Sequence, residues 1–76
     1  MREEAKELYF YTKGQFEEEL NKITPFAASV IIAVRQVVKN AMFRYIEEYC
    51  SNGDNPFSEE DFQEVSWIIH NEITEA

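Results

Sequence analysis

The segment TPFAASVIIAVRQVVKNAMFRYIEEYC, residues 24–50, decides the fold of this chain. Its first half is almost entirely apolar, whereas the chain as a whole carries a net charge of −8. The longest uncharged run, Thr24–Val34, is about half of the ~20 apolar residues that a membrane-spanning helix needs. Arg35, Lys39 and Arg44 follow it, and each would be costly inside a bilayer. We therefore expect this segment to be a buried helix and not a membrane anchor.

The predicted boundaries of this helix rest on local signals. Thr24 is a suitable N-cap and Pro25 suits the first helical position, so we predict a helix over residues 25–50. The turn sequence Ser51-Asn52-Gly53 would end it. Apolar side chains cover more than half of the helical wheel, which indicates a helix that packs against more than one neighbour.

Residues 2–23 form the second predicted helix. Apolar or small residues recur at spacings of three and four, as on one face of a helix. They are Met1, Ala5, Leu8, Thr12, Phe16, Leu20 and Ile23. This stripe passes Gly14 without losing phase, so the helix is either continuous or broken at Gly14 into a long and a short helix.

The third helix has the clearest start. Ser58 is a strong N-cap with Asp61 at the third helical position, a variant of the capping box, and we predict a helix over residues 59–75. Three helices joined by short connections favour an all-α fold, an antiparallel up-down-up three-helix bundle in a single domain of residues 1–76. The middle helix would lie at its centre. A break at Gly14 would add a fourth, short helix.

Composition limits the function classes. Fifteen acidic residues against seven basic ones disfavour direct binding to nucleic acid or anionic membranes, which require cations. The single cysteine, Cys50, and the acidic N-terminal sequence favour a reducing compartment, so we expect a cytoplasmic protein.

The predicted topology gathers acids at one end of the bundle. The first turns of the outer helices, the end of the middle helix and the following turn would meet there, and we call this surface the acidic pole. Its members are Glu3, Glu4, Glu47, Glu48, Asp54, Glu59, Glu60 and Asp61. Negative charge at a helix C-terminus is unfavourable, so Glu47 and Glu48 hint at a use beyond helix stability.

Two apolar features complete the candidate surfaces. Phe10, Tyr11 and Trp67 lie off the buried stripes, and exposed aromatic residues are common in protein contacts. The middle helix is also longer than the third helix, which would leave its first turns partly uncovered. The residues expected there are Phe26, Val30, Ile31 and Ile32, and they could serve self-association unless a bend at Gly14 or the C-terminus covers them.

We find no pattern that predicts catalysis, a metal site or a cofactor. His70 would lie ~16 Å along its helix from the pole that holds Cys50, too far for a nucleophile–base pair. One cysteine and one histidine offer no zinc spacing. The segment NGDNPFSEED lacks the ligand alternation of an EF-hand loop.

The leading hypothesis from the sequence is a non-enzymatic protein-binding module. It would dock its acidic helical surface on a basic site of a partner protein, as an inhibitor or regulator. Phage-encoded inhibitors, immunity proteins and antitoxin-like regulators share this combination of small size, acidity and helical structure, a comparison of class alone. The alternative hypothesis is a structural homodimer or assembly subunit that uses the apolar end of the central helix.

Overall fold

Four helices make up the fold in the computed structural model, which describes residues 1–75. They are α1 (Glu3–Gln15), α2 (Glu17–Asn21), α3 (Val30–Tyr49) and α4 (Glu59–Thr74). Helices α1, α3 and α4 pack against one another, and the short α2 contacts α1 and α3. No strand occurs within residues 1–75. The prediction of an all-α helical bundle is therefore confirmed.

The core is built largely from small and β-branched side chains. Val34, Val38 and Ala41 of α3 are fully buried, as are Ala5 and Leu8 of α1. From α4, Val65 and Ile69 join the same cluster, and Leu20 of α2 closes it. Small side chains allow helix axes to approach closely, which suits a central helix that is covered on two sides.

None of the helices in residues 1–75 is long and apolar enough to cross a membrane.

The helix predicted over residues 2–23 is interrupted, but at Phe16 instead of Gly14. Phe16 has φ −121° and ψ 29° and separates α1 from α2. Its ring is buried in the core, whereas Gly14 is exposed. The Phe16 N–H still donates to the carbonyl of Thr12, so the chain bends here without losing that hydrogen bond. The bend that produces a fourth helix therefore occurs at Phe16, the residue that packs into the core, and not at Gly14, the residue with the lowest helix propensity.

The predicted start of the central helix at Pro25 is wrong. Helix α3 begins at Val30 with Ser29 at the N-cap, and the preceding residues 22–29 form turns. A helix starting at Pro25 would leave three residues to connect it with α2. The longer connection lets Ile23 and Pro25 line a groove with Ile69 and Ile73 of α4. Tertiary packing here overrides the local N-cap signal of Thr24.

The predicted capping box of α4 is confirmed. The backbone N–H of Asp61 donates to the Ser58 hydroxyl at 3.1 Å, and the Ser58 N–H donates to the Asp61 carboxylate at 2.9 Å. Asp61 is only 2% exposed, and its carboxylate also lies 3.2 Å from the Arg2 guanidinium. Arg2 further donates to the carbonyl of Pro56 at 3.4 Å. These contacts join the start of α1 to the start of α4.

Replacing Gly14 with alanine should stabilise the protein by about 1 kcal/mol, because alanine is the better helix former. A Cβ at Gly14 would meet no atom within 4 Å. Gly53→Ala is the matched control, since Gly53 has φ 72° and an alanine there costs ~1 kcal/mol. Urea unfolding followed by circular dichroism would measure both effects. A destabilised Gly14→Ala variant would contradict the position of Gly14 inside α1.

Candidate functional site

The end of the bundle that holds the acidic pole is assembled from three helices. The Arg2 guanidinium connects the start of α1 to Asp61 of α4. On the other side of α1, the Tyr11 hydroxyl donates to Glu48 near the end of α3 at 2.9 Å. The first turn of α1 and the last turn of α3 also border one groove, through Glu3 and Tyr49. The elements that were expected to meet at this pole therefore do so.

Half of the carboxylates of the acidic pole take part in ion pairs within the chain, and they share three cations. Glu3 pairs with Lys6 at 3.6 Å, and Glu48 pairs with Arg44 at 3.8 Å. Arg2 serves both Glu4, at 3.4 Å, and Asp61. Glu47, Asp54, Glu59 and Glu60 are exposed, and none of them has an ion pair among residues 1–75. Arg2, Lys6 and Arg44 are already paired, so these four carboxylates leave the pole with a net negative surface.

Asp61 does not belong to that surface. Its carboxylate is buried and holds the N-cap of α4 and the Arg2 guanidinium at the same time. Both contacts are made by the Oδ2 atom, and a residue that is only 2% exposed is not free to meet a partner. The assignment of Asp61 as a partner-binding residue is therefore corrected to a structural one.

A cluster of tyrosines borders the groove between α1 and α3. The rings of Tyr11 and Tyr45 meet edge to face at 5.3 Å, and those of Tyr45 and Tyr49 lie 4.9 Å apart. Phe10 adds a fourth, exposed ring to the groove. The charged side chains that line it are Glu3, Lys6 and Glu7. We call this site the tyrosine groove.

Tyr11 occupies a different environment from the one expected. It was predicted to be an exposed aromatic, but it is half-buried between the rings of Tyr45 and Tyr49. Phe10 and Trp67 are exposed as predicted, and the Trp67 ring stacks on His70 at 5.1 Å. Tyr45 and Tyr49 lie on the apolar side of the helical wheel of the predicted central helix, so the sequence pattern places them in the core and does not reveal the groove.

Tyrosine hydroxyls hold carboxylates in place around this end of the bundle. The Tyr45 hydroxyl donates to Glu7 at 2.8 Å, and this hydrogen bond is the main reason why the pKa of Tyr45 is raised to about 12. Burial, followed by the hydrogen bond to Glu48, raises the pKa of Tyr11 to about 12. Tyr11 and Tyr45 therefore stay neutral, and their hydroxyls remain donors across the physiological range.

A similar pair joins α1 to α4 outside the groove. The Tyr9 hydroxyl donates to Glu72, which raises the pKa of Tyr9 to about 12. Burial alone would raise the pKa of Glu72, but the hydrogen bonds from Tyr9 and Lys13 outweigh it and lower that pKa. The Lys13 ammonium lies 3.0 Å from the Glu72 carboxylate. This pair is a structural link between the two helices.

Phe43 is a surface aromatic that sequence reasoning did not single out. It is 58% exposed and borders a third groove, between α3 and α4, together with Met42, Glu59 and Phe62. Phe43 lies four residues from both Lys39 and Glu47, on the polar side of the helical wheel. This spacing could have identified it as a surface residue.

The late start of α3 leaves the four candidate self-association residues with very different exposures. Phe26 lies in the connection before the helix and is 95% exposed, and Ile32 is 64% exposed. Ile31 is half-buried. Val30 is buried in the core cluster as the first residue of α3, so its assignment to an exposed patch is wrong.

Cys50 and His70, the two side chains considered as a nucleophile and a base, lie on different elements. Cys50 is half-buried at the C-cap of α3, and His70 lies on α4 with its Nδ1 atom buried and without a hydrogen-bond partner among residues 1–75. No group of three or more His, Cys, Asp or Glu side chains in this part of the chain is placed to hold a metal ion. Comparisons of the chain with protein-family models, curated proteins and solved structures found no match.

The protein should lose stability as the pH rises from about 10 to about 12. The unfolded chain releases the protons of Tyr9, Tyr11 and Tyr45 near pH 10, whereas the raised pKa values of about 12 keep them bound in the folded chain. Their contribution to stability is thus complete below pH 10 and is lost as the pH passes 12. Urea unfolding at a series of alkaline pH values would measure this decline.

The control for this prediction is the double variant Tyr11→Phe/Tyr45→Phe, which lacks two of the three hydroxyls. Its free energy of unfolding should fall less steeply over the same pH window. If wild type and variant declined in parallel, the hydroxyl–carboxylate pairs would not be the cause.

Proposed function

We propose that this chain is a small, non-catalytic protein-binding module that docks its acidic pole on a basic site of a partner protein. The supporting observation is the set of four exposed carboxylates at the pole without an ion pair among residues 1–75: Glu47, Asp54, Glu59 and Glu60. Such a module would act as an inhibitor or regulator in the cytoplasm, in the manner of phage inhibitors, immunity proteins or antitoxin-like regulators.

Local helix energetics account for only part of this charge. Glu59 and Glu60 lie in the first turn of α4, where negative charge favours the helix dipole. Glu47 lies in the last turn of α3, where the same charge is unfavourable, and no basic residue occupies that turn. A negative field that is not required by the fold is well suited to steer a cationic partner.

The pole also offers apolar area for a contact. Phe43 is exposed one helical turn from Glu47 and lines a groove with Glu59. Protein interfaces combine a desolvated apolar centre with a charged rim. Phe43 would supply the centre and the unpaired carboxylates the rim. Phosphate groups would be repelled by this surface, which favours a protein partner over nucleic acid.

The triple variant Glu47→Gln/Glu59→Gln/Glu60→Gln should bind a basic peptide about tenfold more weakly than wild type, because each exposed charge contact is worth up to about 1 kcal/mol. Fluorescence anisotropy with a labelled oligo-arginine peptide at low ionic strength would measure the affinity.

The matched control is Glu17→Gln/Glu18→Gln/Glu19→Gln, which removes the same charge from the first turn of α2. This variant should lose only about twofold, through the change in net charge. Equal losses in the two triples would mean that the peptide responds to net charge alone and that the acidic pole is not a site.

The alternative function, a structural homodimer or assembly subunit, rests on the exposure of Phe26 and Ile32. It predicts a molar mass by light scattering that rises with protein concentration and that Ile32→Glu returns to the monomer value. Phe10→Glu introduces the same charge at another exposed apolar position and should leave the dimer intact. A monomer mass at every concentration would exclude this function.

A further inference from the structure

We propose that the tyrosine groove binds an arginine side chain of the partner protein. This inference rests on the proposed function and deepens it, because it assigns the groove between α1 and α3 to a specific chemical group. The groove combines aromatic rings with carboxylates, and a guanidinium ion can contact both at once.

The rings provide the stacking surface. Tyr11 stands nearly perpendicular to both Tyr45 and Tyr49, with interplanar angles of 88° and 83°. Tyr49 and Phe10 remain mostly exposed to solvent. The face of an aromatic ring carries partial negative charge and attracts cations, and arginine uses such faces more often than lysine.

The carboxylates provide hydrogen-bond acceptors beside the rings. The Tyr45 hydroxyl occupies one acceptor position of Glu7, and a carboxylate offers about four. Glu7 has no cation partner within residues 1–75. Its orientation is set by the tyrosine, so a guanidinium ion would meet a carboxylate that is already in place.

One of the chain's own arginines makes a comparable pair of contacts. The Arg44 guanidinium carbon lies 5.8 Å from the centroid of the Phe16 ring, while its Nε atom lies 3.8 Å from Glu48. One arginine is thus held by a ring and a carboxylate together. Within residues 1–75, cations lie over the rings of Phe16 and Tyr9, and none lies over Tyr11, Tyr45 or Tyr49.

Lys6 is the competing cation. It lines the groove, but its ammonium group pairs with Glu3 at 3.6 Å and does not lie over the rings. Its positive charge should weaken the binding of another cation. Removal of Lys6 is therefore expected to strengthen binding, an effect opposite in sign to that of the other substitutions in the groove.

The test is an NMR titration of the whole chain with Nα-acetyl-argininamide, followed at the tyrosine ring signals. We expect saturable shifts at Tyr11, Tyr45 and Tyr49. The neutral analogue Nα-acetyl-citrullinamide has nearly the same shape and should bind at least about fivefold more weakly, because it lacks the charge. Equal binding of the two probes, or shifts confined to other residues, would overturn the proposal.

Four variants sharpen the test. Glu7→Gln and Tyr49→Leu should each weaken the binding of the arginine probe about threefold. Lys6→Gln should strengthen it about twofold. Trp67→Leu, which changes an exposed aromatic on α4, should have no effect. A Lys6→Gln variant that binds more weakly than wild type would also contradict the proposal, since loss of a competing cation cannot have that result.

The arginine-probe experiment and the peptide experiment test the groove and the acidic pole separately. If the arginine probe does not bind the groove but neutralisation of Glu47, Glu59 and Glu60 still weakens the peptide, the groove assignment is wrong and the proposed function stands. If the probe binds while that triple variant behaves as wild type, the groove is a site and the acidic pole is not.

Discussion

The burial of α3 between α1 and α4 is the constraint on which the rest of the structure depends. Val34, Val38 and Ala41 are fully buried, and each of the three helices packs against the other two. A chain of 76 residues has a small core, so another arrangement of the helices could not bury the same side chains. Once α3 is covered from two sides, the last turns of α3 and the first turns of α1 are fixed beside each other. The position of the tyrosine groove follows from this packing.

The same packing separates structural charges from available ones. Arg2 and Asp61 are engaged in joining α1 to the N-cap of α4, whereas Glu47 and Glu59 lie outside these contacts. The tyrosine side chains likewise contribute to both the core and the surface. Their rings pack at the edge of the core, and their hydroxyls reach carboxylates on the surface. One end of the bundle therefore presents neutral aromatic rings beside carboxylates, an arrangement that suits a cationic partner.

The sequence predicted features that depend on a few neighbouring residues and missed those that depend on distant ones. The Ser58–Asp61 capping box is local and was predicted correctly, but the ion pair of Asp61 with Arg2 crosses the fold and was not foreseen. The start of α3 was placed too early because the path from α2 cannot be read from Thr24 and Pro25 alone. Likewise, the apolar pattern places Tyr45 on the buried side of α3 but does not reveal that its hydroxyl reaches Glu7.

Amide hydrogen exchange along α3 tests most directly the central claim that core packing preforms the groove. The account predicts that the amides of residues 45–49, which carry the groove tyrosines, are protected nearly as strongly as those of Val34–Ala41. It also predicts rapid exchange in the connection of residues 51–56, which is exposed. If residues 45–49 exchanged as fast as that connection, the end of α3 would be frayed and the groove would not be preformed.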